Sequence, residues 1–362
     1  MRRYYEVMRE KKHRGGRPPL FVKVKGKRGL SRPGLVAALV GCLFLVMAPV
    51  WAWGIAPLFI KLPDKLNNVY VYEGKLTVFA DRVTSRFYPR GQQVTTPLKI
   101  TSHDVGVPSR SDSQVLVVDE RVTVRDAVTG QVQEGLRPPT TYALNRRTCE
   151  NVPGYLPGVN RTGFTIKLPM GAEKKLYPMW DDDLKKLIAC TYVKEGRVDG
   201  NVSKNVRVYV YKLGGSIEKM AKPPTGLPAS VTGKEAKAMT GNPNLPVSDG
   251  ARIELEYYMK TDATLSVEPR TGTVVYVPKY SYVYYVKNAP GQTPPFQKLA
   301  EVEYARNTSS TKSDVDASAE YFPLLDLDQK WTPLSFLVLG ALLVAGGVVR
   351  NRKATRRASL PV

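Results

Sequence analysis

Residues 33–60 read PGLVAALVGCLFLVMAPVWAWGIAPLFI, without a single charged side chain. At about 1.5 Å per residue, that stretch exceeds the ~30 Å hydrocarbon core of a bilayer. A second uncharged run, 331–349 (WTPLSFLVLGALLVAGGVV), meets the lower limit of about 17 residues for a span. Trp51, Trp53 and Trp331 stand at the ends that face the middle of the chain, and Arg32 and Arg350 at the opposite ends. That is the order expected of an aromatic belt and of positively charged cytoplasmic flanks. A cleaved signal peptide is a poorer reading of the first run, because its basic region is too long and no A-x-A site follows.

The sequence therefore predicts five segments: a basic tail (1–33), a first transmembrane helix (34–60), a large extracytoplasmic domain (61–330), a second transmembrane helix (331–349) and a short basic tail (350–362). Both termini are expected in the cytoplasm and the whole chain in the plasma membrane. Charge supports this division. The formal charge of +22 over 362 residues invites a nucleic-acid reading. However, residues 1–33 carry twelve Lys/Arg against Glu6 and Glu10, and residues 350–362 carry five basic residues and no acid, leaving only +7 for the middle. Nucleic acid is not expected as a partner; an anionic membrane surface is.

Residues 61–330 read as strands. Alternation of period two runs through Val69–Tyr72, Gln114–Arg125 (QVLVVDERVTVR), Val206–Tyr211 (VRVYVY) and Tyr276–Val286 (YVPKYSYVYYV). Valine, tyrosine and threonine dominate these runs, and Val128-Thr129-Gly130, Asp199-Gly200-Asn201 and Arg270-Thr271-Gly272 supply turn chemistry. The fold class expected is mainly β, a β-rich α+β domain held between two transmembrane α-helices. Helices are expected at Ser230–Met239 and after Asp181-Asp182-Asp183, whose carboxylates suit a helix N-terminus. Residues 307–318 (NTSSTKSDVDAS), small and polar, read as a linker.

The chemistry on offer is sparse. His13 and His103 are the two histidines of the sequence, and no P-loop, dinucleotide fingerprint or nucleophile elbow occurs. No catalytic residue, cofactor or metal site is expected. Cys42 falls in the first apolar run, whereas Cys149 and Cys190 fall in the outer domain, where an oxidising compartment predicts a disulfide between them. Tyr280, Tyr282 and Tyr284 share one face of a strand and form a candidate ligand groove. Asn160-Arg161-Thr162, Asn201-Val202-Ser203 and Asn307-Thr308-Ser309 match the N-glycosylation pattern. Gly340, Gly346 and Gly347 offer a surface for close helix approach.

The segment Gly163–Lys186 (GFTIKLPMGAEKKLYPMWDDDLKK) resembles the actinobacterial cell-envelope proteins of the porin PorA family. The likeness rests on Leu168, Pro169, Gly171, Glu173, Lys174, Tyr177, Pro178, Trp180 and Asp181. A second element, V-x-P-x-T-G-x-V, falls on Val267, Pro269, Thr271, Gly272 and the valines that follow. Met170 and Met179 stand where the family more often has aromatic residues. The resemblance implies a non-enzymatic extracytoplasmic protein tied to the trafficking or assembly of envelope lipids and lipoglycans. The first expectation is a protein that binds or hands on an envelope lipid or glycolipid. An adaptor for envelope-synthesis or transport proteins is the second, and an oligomeric channel the third.

Overall fold

The computed structural model describes residues 32–56, 61–63, 65–79, 93–133, 139–165, 167–198, 205–224, 227–287 and 297–357. His13 and the turn at Asp199-Gly200-Asn201 lie outside them. The chain divides into two units, Met1–Pro49 with Pro333–Val362, and Val50–Thr332.

The first unit is built on two helices, α1 (Arg32–Pro49) and the last helix of the chain, Thr332–Arg357. Each belongs to a helical run long and apolar enough to cross a membrane, Arg32–Ile55 and Thr308–Ala354. The helices pack antiparallel through glycine. A methyl group placed on Gly41 would lie 2.7 Å from the Gly340 carbonyl oxygen, and one on Gly347 would lie 2.6 Å from that of Gly34. Beside them the rings of Phe44 and Phe336 sit 5.7 Å apart. Close backbone approach at small residues replaces the hydrophobic drive that is missing inside lipid. Two of the three glycines singled out in the sequence, Gly340 and Gly347, are thus used within the chain, and Gly346 has open space around it.

The second unit holds, in chain order, β1 (Asn67–Val78), β2 (Val94–Gly106), β3 (Val115–Asp126), β4 (Thr140–Asn145), β5 (Tyr177–Asp181), β6 (Lys186–Arg197), β7 (Arg207–Lys219), β8 (Ser230–Thr232), β9 (Arg252–Glu254), β10 (Glu256–Glu268), β11 (Thr273–Lys287) and β12 (Gln297–Arg306). Ten of them form one antiparallel sheet in the order β4-β3-β2-β1-β12-β11-β10-β7-β6-β5. All four alternating runs of the sequence fall in this sheet. The sheet curls: Leu116, Val118, Tyr142 and Leu144 from one end share a core with Tyr177, Met179, Tyr211 and Leu213 from the other. A strap between β4 and β5 joins the two edges. Val152 N donates to Ala143 O (2.8 Å), Asn151 N to Gly163 O (2.7 Å) and Phe164 N to Pro178 O (2.9 Å).

β8 and β9 form a separate two-stranded sheet and are connected through α2 (Gly233–Thr240). The helix expected there starts at a capping box between Thr232 and Glu235. Two other expectations are corrected. Asp181-Asp182-Asp183 does not open a helix: the Asp181 carboxylate accepts from the backbone N–H groups of Asp183 (3.0 Å) and Leu184 (2.9 Å), closing the turn between β5 and β6. The same side-chain chemistry serves an Asx turn as well as an N-cap. Residues 307–318 are not a linker but the start of α3 (Thr308–Asp326), capped by Asn307, whose side chain accepts from Ser310 N. α3 leads through a π-helical turn (Leu327–Trp331) into α4, the helix Thr332–Arg357.

Candidate functional site

The two sequence motifs meet. Leu168 N donates to Gly272 O (3.0 Å), Gly171 N to Arg270 O (3.1 Å) and Ala172 N to Pro269 O (2.7 Å), so the Pro-x-Gly segment lies along the turn between β10 and β11. Glu268, 2% exposed, holds that turn by accepting from Thr271 N (2.7 Å), Thr271 Oγ1 (2.8 Å) and Arg270 N (3.1 Å). Gly272 has φ +71°, and a Cβ there would fall 2.1 Å from the Leu168 carbonyl oxygen. Only glycine meets both conditions.

The remaining motif residues brace neighbouring walls. Tyr177 Oη accepts from Glu173 N (2.8 Å), and Trp180 Nε1 donates to Asp182 Oδ1 (3.1 Å). Asp181 Oδ2 accepts from Thr261 Oγ1 (2.9 Å), and Lys174 pairs with Glu195 beside the Tyr192 and Tyr209 rings. Pro178 supplies the carbonyl that receives the strap.

Beside the joined motifs opens a cavity of about 600 Å³. Lys167, Met170, Thr271 and Thr273 form one wall, Leu62, Leu66 and Tyr70 with Leu144 a second, and α3 a third. Its apolar surface comes from Leu62, Leu66, Leu144, Met170, Leu324 and Leu325, with Lys61, Lys65, Lys167, Asp314 and Asp328 among them. α3 is fastened at several points. Val71 N donates to Ser310 Oγ (2.9 Å), Arg306 pairs with Asp314 (2.6 Å), and Arg270 binds both Phe322 O (3.2 Å) and Asp326 (3.0 Å). The chain segments on either side of the cavity are tied as well, Trp51 Nε1 donating to Asp328 O at 3.2 Å.

Burial sets the electrostatics. Desolvation raises the Asp314 carboxyl to about 7, against the opposing pull of Arg306. Desolvation also pushes the Lys167 ammonium below the usual lysine range, with Cys149 and Glu268 partly restoring it.

A second, smaller cavity of about 140 Å³ lies inside the curled sheet. Tyr280 and Tyr282 of the expected groove line this space rather than the larger one; Tyr284 instead donates its hydroxyl to Asp183 Oδ2 at 3.1 Å. Tyr280 stacks on Tyr304 with ring centres 5.1 Å apart.

The profile of one protein family, described as Porin PorA, matches residues 33–349. The chain belongs to that family. The match to PorA takes in both apolar helices and the whole sheet unit between them. No curated protein matches the sequence.

In this PorA member the expected disulfide is absent: Cys149 and Cys190 are free, buried thiols. Cys190 stands in register with Tyr177 on one side and Leu213 on the other. Burial pushes its thiol up to about 12 and raises Cys149 also, so both behave as small apolar residues in the shared core. His103 bonds Asn67 (2.7 Å) on the sheet, and Asn307 of the third glycosylation pattern is spent as the α3 cap. Among the described residues, no three His, Cys, Asp or Glu side chains are grouped to hold a metal ion.

α3 was missed in the sequence, and with it the main wall of the larger cavity. A signal was present: Asn307 followed by small residues, with Val315, Phe322 and Leu325 at helical spacing.

Proposed function

We propose that this PorA-family protein is a non-enzymatic cell-envelope protein whose sheet domain, outside the cytoplasm, binds an envelope lipid or glycolipid in the 600 Å³ cavity. The observation that carries the reading is the cavity itself. Its volume falls within the roughly 300–1,000 Å³ of small-molecule sites, and its walls combine leucine and methionine with a few charged groups, as an amphiphile requires. Its position along the chain agrees: the lining residues Lys61 and Asp328 each stand within a few residues of an apolar run. The orientation follows from the basic tails, whose Lys/Arg excess favours the cytoplasmic side.

The test uses the full chain held in amphipol and titrated with a fluorescent fatty acid. One saturable site is expected, and Leu66→Glu and Leu324→Glu, which put a charge on the cavity wall, weaken it at least tenfold. Absence of saturable binding, or wild-type affinity in both variants, overturns the reading in favour of an adaptor role.

A further inference from the structure

We propose that the ligand is a lipid with an uncharged sugar headgroup, bound with its chain in the larger cavity and its sugar in the smaller one. This deepens the lipid reading and rests on it.

The first support is a polarity gradient along α3. Leu324, Leu325 and Leu327 line the larger cavity near the end that leads into α4, whereas Asp314 and Ser318 line it about two to three helical turns earlier. Ser318 is 3% exposed, and its hydroxyl has no hydrogen-bond partner among the described residues. Leaving a buried hydroxyl unsatisfied is costly, and a polar ligand atom at this end relieves it. Asp328 follows Leu327 at the far margin, so the apolar part of an amphiphile belongs against Leu324, Leu325 and Leu327 and its polar part toward Ser318.

The second support is that the two cavities adjoin at this polar end. Tyr70 lines both, and the ion pair at 2.6 Å joins Arg306 of the inner cavity to Asp314 of the outer one. A headgroup carried past Ser318 reaches the Tyr70 and Arg306 partition.

The third support is the chemistry beyond it. The inner cavity presents the Tyr280, Tyr282 and Tyr304 rings on β11 and β12, with Asp104, Glu120 and Asp182 from other strands and turns. Tyr280 and Tyr304 stack on each other, so it is the outward side of this tyrosine cluster that would meet the C–H face of a pyranose ring, while carboxylates accept its hydroxyl protons. Arg306 is the one Lys or Arg among the described lining residues and is already paired with Asp314, so the acids outnumber it and disfavour a phosphate, which sets the headgroup as neutral and rich in hydroxyls.

The test is a competition on the full chain in amphipol carrying the fluorescent fatty acid. Octyl hexosides, octanol and octyl phosphate are added below their micelle concentrations. At least one hexoside is expected to displace the probe tenfold better than octanol. Asp183→Asn, an exposed and conservative change at the cavity rim, and Tyr282→Leu each reduce that advantage at least threefold while probe affinity and melting temperature hold. Equal competition by octanol, stronger competition by octyl phosphate, or an advantage intact in both variants overturns the sugar assignment alone. Failure of the probe itself to bind overturns the lipid reading, and this one with it.

Discussion

Replacing Gly272 by alanine tests whether the joined motifs hold the cavity wall. At φ +71° a Cβ costs about 1–2 kcal/mol from backbone sterics alone. It also falls 2.1 Å from Leu168 O and 2.5 Å from Pro169 O, both backbone atoms that cannot swing aside. Separating the two segments weakens the bond from Leu168 N to Gly272 O and strains its neighbours, adding about 1–2 kcal/mol. The total is about 2–4 kcal/mol, which at roughly 2–4 °C per kcal/mol lowers Tm by about 4–16 °C. Gly130→Ala is the control, because Gly130 has φ +74° with nothing within 4 Å of its added Cβ, so it carries only the backbone cost. Differential scanning fluorimetry of the two variants in the same detergent, with fatty-acid affinity measured alongside, separates the contributions. Gly272→Ala is expected to melt below Gly130→Ala and to bind the probe more weakly. If it melts no lower, the contact between the motifs does not stabilise the domain.

Three further outcomes are expected. Maleimide should leave Cys149 and Cys190 unmodified in the folded protein and label both after denaturation without reductant; a cross-linked peptide in a non-reducing map restores the disulfide. Burial raises the Asp314 carboxyl above its unfolded value in spite of its pair with Arg306, so stability in urea titrations should fall as pH rises from about 4 toward about 7. Asp314→Asn should remove that slope, and a slope that persists in it assigns the dependence to another group. On intact cells, impermeant thiol reagents should reach single cysteines introduced at exposed positions of the sheet domain but none in residues 1–31 or 358–362; labelling of either tail reverses the proposed orientation.

The strand content was legible because it depends on local alternation. Val69–Tyr72 and Tyr276–Val286 place side chains on opposite faces whatever their partners are, and both are strands of the sheet. The errors arose where one residue type serves two structures. Asp181 caps a turn with the same carboxylate chemistry that caps a helix, and the sheet register decided between them. Residues 307–318 look too polar for an ordered element, yet Ser310 bonds Val71 and Asp314 pairs with Arg306, partners supplied by distant strands. The cavity was illegible for the same reason. Its walls come from segments as distant as Leu62, Leu66, Leu144, Met170, Thr271 and Leu325, and nothing local in any of these announces a shared space.

The pairing of β1 with β12 has a bearing on how the protein is made. Tyr72 and Arg306 are register partners and hydrogen-bonded, yet 234 residues separate them. At about 5–20 residues per second of synthesis, β1 waits on the order of 10–50 s for its second neighbour. During that interval the meander from β1 to β4 lacks the strand that closes its open side, and the first apolar helix is already complete. Non-local closure of this kind is slow and exposes strand edges to aggregation. Truncation before β12 therefore removes the strand that joins the β1–β4 half of the sheet to the β5–β11 half.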